Sequence, residues 1–313
     1  ATGSVNYLIL GFVIGVCNGF AIPIAQLFGA RDYSDLHRHV ANAAWLCIAG
    51  SVVLTISTVA LTRPMMQLMQ TPDDIIDGAV IYIGWIFAGI PFIFLYNMVA
   101  AIMRALGDSK TPLYFLILTS ALNIGLDLLF IIPFQMGVLG AALATDISQV
   151  ISGVLSFIYL SRKFDVLKMQ KSDFAYSKKA CARLLGIGIP MGLQCSITAI
   201  GSVIMQWAVN VLGSTAVAAV TAAGKTQGLL TVPMESVGTA MATYAGQNLG
   251  ASRMDRVRQA IRVAFIAQIT SATVLVSILA AFPSVFAAWF TSSPEVIGIV
   301  TRMMPVFVAG WGV

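Results

Sequence analysis

Residues 25–40 read AQLFGARDYSDLHRHV, and residues 246–261 read GQNLGASRMDRVRQAI. Laid over one another at an offset of 221 (247 − 26), Gln26 falls on Gln247, Gly29 on Gly250 and Ala30 on Ala251. The same offset carries FAG at 87–89 onto VAG at 308–310, and QTPDD at 70–74 lies one residue from SSPEV at 292–296. A chain that repeats itself over such a distance is built from two copies of one unit, and the content of each copy decides the fold.

Apolar residues make up 58% of the 313, charged residues 10%, and the mean hydropathy is +0.88, whereas a soluble domain carries about a quarter charged residues. This is the composition of an all-α integral membrane protein. Eight apolar runs, at 5–28, 40–62, 77–102, 112–134, 138–161, 184–210, 216–248 and 263–288, are long enough to cross a hydrocarbon core as helix. A ninth begins near Val296.

The two repeated stretches close the first and seventh runs. Six crossings separate them, so both copies run the same way through the membrane, as parallel repeats about an axis along its normal. Two six-helix halves are expected: an amino-terminal lobe over 1–160, a polar linker over 161–182 and a carboxy-terminal lobe over 183–313. At the same offset the run at 184–210 has no first-half partner, and those at 112–134 and 138–161 have no second-half partner. The expected intact protein therefore has twelve helices in about 430 to 460 residues. This chain would hold helices 2–6 and helices 7–9 with the start of the tenth, lacking one helix at the front and about three at the back.

Fifteen of the eighteen basic residues fall in alternate connections, around Arg31 and Arg38, Arg104 and Lys110, the stretch from Arg162 to Arg183, and Arg253 to Arg262. The intervening connections hold only Arg63. By the positive-inside rule the basic loops and the linker are cytoplasmic, so the net charge of +5 reports orientation and no nucleic-acid partner. The first run lacks the basic leader and cleavage site of a signal peptide. Cys17, Cys47, Cys181 and Cys195 lie in or beside different spans without paired spacing, which reads as core packing and neither a disulfide framework nor a zinc site. His37 and His39 read as a solvated loop face, with no metal constellation.

The stretch NIGLD, 123–127, puts a carboxylate inside a span. A charge at membrane depth costs at least about 2.5 to 3.5 kcal/mol and marks an aqueous path or a partner; an ionisable group shielded from water also suits a proton carrier. Asn123 precedes Asp127 by one helical turn and shares its face. Counted from the outer turn at 133–137, Asp127 and Thr145 reach similar depth, about 6 to 12 Å in at 1.5 Å per residue. Asp127 is either a coupling site or a structural polar lock satisfied by Asn123 and nearby backbone.

Several ordered motifs carry a family likeness: AQLFGARD (25–32), RALGDSKTP (104–112), NIGLD (123–127), GVLGAALATDISQ (137–149), GIPMGLQ (188–194) and GQNLGA (246–251). Together they resemble the multidrug and toxic compound extrusion (MATE) family, nearest its bacterial branch related to the DNA-damage-inducible members. That resemblance implies two lobes around a V-shaped cleft in the bacterial inner membrane. It implies export of cationic or amphipathic organic compounds by a monomer, with H+ or Na+ as the coupling ion and no cofactor. In archaeal members an Asn, an Asp four later and a Thr eighteen later join an aspartate of the first helix in a cation site; Asn123, Asp127 and Thr145 match that pattern.

Asp146 stands where the family commonly has an apolar residue; it either widens the acidic site or pairs with a base on another helix. Where the sodium-coupled branch has an acidic residue in the seventh helix, this chain offers Gln194 and Thr198. Lys225 and Glu235 flank Pro233 and lie about 15 Å apart along a straight helix; Glu235 reads as a substrate-cation contact and Lys225 as a partner for an acidic residue in the missing helices, or both read as interior residues bridged to polar neighbours. Gly29 and Gly250 read as left-handed helix caps, with Gln26 and Gln247 beside them, more readily than as gating elements. Pro23, Pro91, Pro190 and Pro233 lie within spans as bends or ordinary kinks. Tyr96, Met98, Met205, Trp207 and Met241 line an adaptable pocket or pack in the core or against lipid. A lipid-linked sugar flippase of the same superfamily would need a cationic cavity lining, and only Lys225 lies deep in a span. An intramembrane enzyme would need a nucleophile and base or a metal cluster at membrane depth, and no span holds a histidine.

Overall fold

Backbone polar groups find no water in a hydrocarbon core, so a chain of this composition satisfies them within helices. The structure, a computed structural model, describes residues 2–68, 71, 73–210, 214–291 and 293–309. Among the described residues it contains helices and short turns and no strand. In chain order these are α1 (Thr2–Ala30), α2 (Tyr33–Leu68), α3 (Asp73–Ala88), α4 (Ile90–Ala105), α5 (Lys110–Ile131) and α6 (Gly137–Lys163). Two 3-10 turns, Asp165–Leu167 and Lys171–Phe174, lead to α7 (Lys178–Asn210), α8 (Ser214–Gly250), α9 (Met254–Ala281), α10 (Pro283–Ala288) and α11 (Pro294–Ala309).

Among the described residues six helices (α1, α2, α5, α6, α7 and α9) are long and apolar enough to cross a membrane, and α3 with α4 makes a seventh, bent by 46°. The sequence predicts one unbroken span at 77–102; the chain turns there at Gly89, because Pro91 opens the next helix without an N–H to continue the ladder. The span expected at 216–248 is the single helix α8, which carries Lys225 and Glu235 along its length. The run at 263–288 is also divided. Phe282, ahead of Pro283, leaves the helical region (φ −131°, ψ 49°) and separates α9 from α10. Pro23, Pro190 and Pro233 are carried inside α1, α7 and α8 without ending them.

The chain divides into two compact units: residues 1–200 with 246–252, and residues 201–245 with 253–313. In the first, Val13, Phe20 and Ile24 of α1, Leu36 and Met66 of α2, Ile83 and Phe87 of α3, Ile90 and Met103 of α4 and Leu184 of α7 form one buried cluster. Ile48, Val52, Val53, Ile56 and Val59 stand exposed on the outer face of α2, as expected of a lipid-facing surface. In the second unit Ala219, Ala222 and Ala223 of α8 pack with Ala287, Val296 and Val300.

Glycine lets helices of the first unit approach closely. A Cβ on Gly15 or Gly19 of α1 would strike the backbone of α7 at Met191 and Gly192, or at Gly188, the small-residue contact expected between membrane helices. At the foot of α1 the repeat meets itself. A Cβ on Gly29 would overlap the carbonyl oxygen of Gln247, and a Cβ on Gly250 would overlap that of Gln26. The glycines are thus not left-handed caps, as the sequence reading had them. The left-handed residues are Arg31 (φ 57°) and Ser252 (φ 56°), themselves 221 apart (252 − 31). Arg31 N donates to Phe28 O at 3.1 Å and Ser252 N to Leu249 O at 3.0 Å, again the same pair of positions.

The stretch 164–177 is held against α2. Asn42, fully buried, donates through Nδ2 to Arg38 O (2.8 Å) and Ala175 O (3.2 Å) and accepts from Ser177 N (3.0 Å) and Cys181 Sγ (3.2 Å). His37 Nε2 lies 2.6 Å from Val166 O and Nδ1 3.3 Å from Asp173 Oδ2, and Trp45 Nε1 donates to Phe174 O. His39 is buried, with Nδ1 2.7 Å from Asp35 O. The histidines therefore do not form a solvated face: one fastens the linker and the other lies inside. Cys17, Cys47 and Cys181 are buried free thiols, and Cys195 is half-buried.

Between α4 and α5, Asp108 accepts from the N–H of Lys110 (3.2 Å), the N–H of Thr111 (3.0 Å) and the Thr111 hydroxyl (2.6 Å). Burial alone would raise its pKa, but these donors outweigh it and the carboxyl titrates below its ordinary range.

Candidate functional site

Helices α5 and α6 pack along their length, joined by the turn at Gln135, whose φ of 51° lets Met136 N reach back to Phe130 O at 3.0 Å. This hairpin brings together two of the predicted residues. Asn123 Nδ2 donates to Thr145 Oγ1 at 3.3 Å, and Thr145 Oγ1 donates to Ala141 O at 3.1 Å. Asp127 lies one turn along α5, half-buried, and its Oδ1 is enclosed without a hydrogen-bond partner. An amide, a hydroxyl and an unsatisfied carboxylate oxygen thus occupy one stretch of the hairpin. Oxygen donors of this kind suit a hard cation or a proton.

Asp146 does not join that group. Its carboxylate lies against the Cα of Gly89, at the break between α3 and α4, where a glycine Cβ would fill the place of Oδ1. Among the described residues it forms no ion pair with a base. Among the described residues Asp146 meets neither the acidic cluster nor a base, because the residue after Thr145 turns about 100° around α6, toward α3 and α4.

Gln194 and Thr198 lie one turn apart on α7, and the Thr198 hydroxyl donates to the Gln194 backbone carbonyl at 3.1 Å. The other two charged candidates belong to the second unit. Lys225 Nζ stands 5.9 Å from the centre of the Phe290 ring, within reach of a cation–π contact. Glu235 is exposed, and its backbone carbonyl accepts from Thr239; no ion pair joins the two among the described residues. Tyr96 and Met98 are buried, with Tyr96 Oη donating to Pro112 O at 3.3 Å, so both pack within the first unit. Met205 is exposed and Met241 half-buried, while the Trp207 side chain lies outside the described residues.

Sequence reasoning counted Arg104 among the loop bases. It is instead the last turn of α4, drawn inward so that Nη2 donates to Asn18 Oδ1 of α1 at 3.0 Å. Its pairing with an amide 86 residues away leaves no local pattern to read. Gly89 was equally silent, being one more small residue in an apolar run.

The MatE family model matches residues 1–129 and 190–311. The probable multidrug resistance protein YoeA of Bacillus subtilis (strain 168) is 28% identical over 305 residues, covering 95% of this chain and 66% of its own length. YpnP of the same organism, also named a probable multidrug resistance protein, is 32% identical over 254 residues, covering 80% of this chain and 56% of itself. The chain spans about half to two thirds of the length of such curated relatives. Among solved structures, the outward-facing form of a multidrug resistance MATE family transporter of the MOP superfamily aligns with a TM-score of 0.89 at 25% identity, over 97% of this chain and 69% of that one. A MOP superfamily transporter from Pyrococcus furiosus, described as having a binding pocket of reversed polarity that suggests a different function, aligns with 0.90 at 25% identity over the same shares. These relatives are transporters and not enzymes. With the family model covering both repeats and the fold shared across nearly all its length, the chain belongs to the MATE family.

Proposed function

We propose that this chain forms most of a secondary active exporter, moving cationic or amphipathic organic compounds outward by alternating access in exchange for H+ or Na+. The observation that carries the reading is the hairpin cluster: Asn123 bonded to Thr145, with an enclosed, unpartnered Asp127 oxygen one turn away. A coupling ion entering there satisfies that oxygen, and the gain differs between conformations that do and do not enclose it, which is what lets an ion bias an equilibrium. The names of the relatives speak of multidrug resistance and multidrug export, and the cationic or amphipathic character is what the family resemblance implies. The two-lobe division at 161–182, the cytoplasmic placement of the basic loops, the bacterial inner membrane and a monomeric state complete the proposal. The lobe division is supported by the internal repeat and the loop placement by the alternation of loop charge, while the membrane and the monomeric state are what the family resemblance implies.

The test is dye efflux from vesicles holding the protein as its cell makes it, under separate proton and sodium gradients, with Asp127→Asn beside wild type. Loss of gradient-driven efflux with dye binding retained is expected. Coupled efflux that persists unchanged in the variant overturns the role of Asp127.

A further inference from the structure

The hairpin cluster leaves one intramembrane carboxylate unused. Asp146 is 8% exposed, and its Oδ1 is enclosed without a hydrogen-bond partner. That oxygen rests on Gly89, the one position of the α3–α4 segment where the helix turns. The backbone there is partly committed. Gly89 N donates to Trp85 O at 3.0 Å, and Gly89 O accepts from Phe92 N at 3.0 Å and Ile93 N at 3.2 Å. Pro91, however, has no N–H to give the carbonyl of Phe87 four residues earlier, so the break takes one backbone bond out of the ladder two residues before Gly89.

Among the described residues the surroundings hold no counter-charge. Among the described titratable groups on elements packed against α6, Tyr96 and Arg104 of α4 donate to Pro112 and Asn18, and Asp77 of α3 pairs with Arg63. Tyr82 of α3 lies seven residues before Gly89, about 10 Å along the helix. Lys110, Tyr114 and Asp127 belong to α5, on the Thr145 side, and Asp165 is in an exposed ion pair with Lys168. Further along α6, Gln149 Oε1 and Ser152 Oγ are enclosed and unpartnered as well. With Asp146 they make three such oxygens over about 9 Å of helix rise.

We propose that Asp146 is a second proton-binding carboxyl, separate from the Asn123–Asp127–Thr145 cluster, and that its proton holds the bend at Gly89. A metal cation does not fit so well. It would need several oxygens converging on it, and the carboxylate is seated directly on the glycine Cα. A proton needs one acceptor. On taking it, the carboxylate loses its charge, and the neutral acid can stay seated on Gly89 without a counter-ion. On giving it up, the group becomes an anion with no partner, which a dry site tolerates poorly, so the contact with Gly89 opens and the segment is free to straighten. Gln149 and Ser152 supply the polar steps along which the proton travels. Gly89 is the receptor surface for this group, because any larger residue displaces the carboxyl.

Infrared spectra of the purified protein, titrated with pH in detergent, read proton binding without requiring transport. The wild type is expected to show a carboxylic-acid C=O band that appears as pH falls. Asp146→Asn loses that band while Asp127→Asn keeps it, Asp146→Glu restores it at a shifted frequency, and Gly89→Ala moves it toward that of a hydrated acid. If Asp146→Asn does not fold, Asp146→Glu and Gly89→Ala carry the same reading. A full set of pH-dependent bands in Asp146→Asn, or a band that answers to sodium at fixed pH, overturns the proposal. Because the readout is independent of efflux, loss of the band in Asp146→Asn together with normal coupled efflux in Asp127→Asn sinks the hairpin reading and leaves this one standing.

Discussion

Gly29 lies with its Cα against the backbone carbonyl of Gln247, and Gly250 lies in the same way against Gln26. Neither contact has room for a methyl group, and the obstacle in each is main chain, which cannot swing aside as a side chain can. Two further bonds pin the region: Gln247 Nε2 to Ala105 O at 2.9 Å, and Arg183 Nη2 to Gln26 Oε1 at 2.6 Å.

Gly29→Ala and Gly250→Ala should each cost about 1 to 3 kcal/mol, the usual penalty of forcing volume into a packed contact. Gly186→Ala is the control. It lies in α7 with open space around its Cβ, and alanine there should stabilise by about 0.5 to 1 kcal/mol through helix propensity. Thermal unfolding in one detergent separates the two outcomes, and equal melting temperatures for all three variants would count against the contact.

The Asn42 side chain satisfies four groups at once, three of them (on Ala175, Ser177 and Cys181) within the linker at 161–182. Asn42→Ala leaves those backbone groups without their partner, at a cost of about 1 to 3 kcal/mol. The linker should loosen first, so trypsin should cut after Lys168 and Lys171 several times faster than in wild type, before any global unfolding. Unaltered cleavage kinetics would show that His37 and Trp45 suffice to hold the segment.

Asp108 should make stability depend on acid. Its folded pKa is depressed, so its contribution is fully present above the unfolded value of about 3.9 and is lost as pH falls through the lower folded value. Asp108→Ala should therefore cost about 1 kcal/mol at neutral pH, as the loss of a helix-start cap does. The difference from wild type should close at pH values below the folded pKa. A gap in melting temperature that stays constant down to pH 2 would refute the assignment.

The membrane class, the position of most helices and the likeness between Gln26–Ala30 and Gln247–Ala251 were legible in the sequence, because each rests on local composition or on spacing. The depth count from the outer turn set Asp127 level with Thr145, whereas the hydroxyl of Thr145 is met by Asn123, one turn deeper along α5. What escaped depends on approach between distant parts. Gly29 and Gly250 read as caps because glycine after a helix usually is one; that role fell to Arg31 and Ser252, and the glycines were taken up by packing. His37 has its partners 129 and 136 residues away (166 − 37 and 173 − 37), beyond any spacing rule. Asp146 was visible as an anomaly, but only the turn at Gly89 shows which way it faces.

The meeting of the two repeats also bears on descent. Residue 29 touches 247 while 250 touches 26, so each copy presents the same surface to the other, the reciprocity that defines an isologous two-fold interface. A half-length ancestor carrying one such Gln-x-x-Gly turn makes this contact with a second copy of itself. Joining the copies end to end converts a concentration-dependent homodimer into a single chain and frees each half to diverge. Arg31 and Ser252 carry unlike side chains on one shared left-handed backbone angle, as two copies that kept a turn and changed its sequence would.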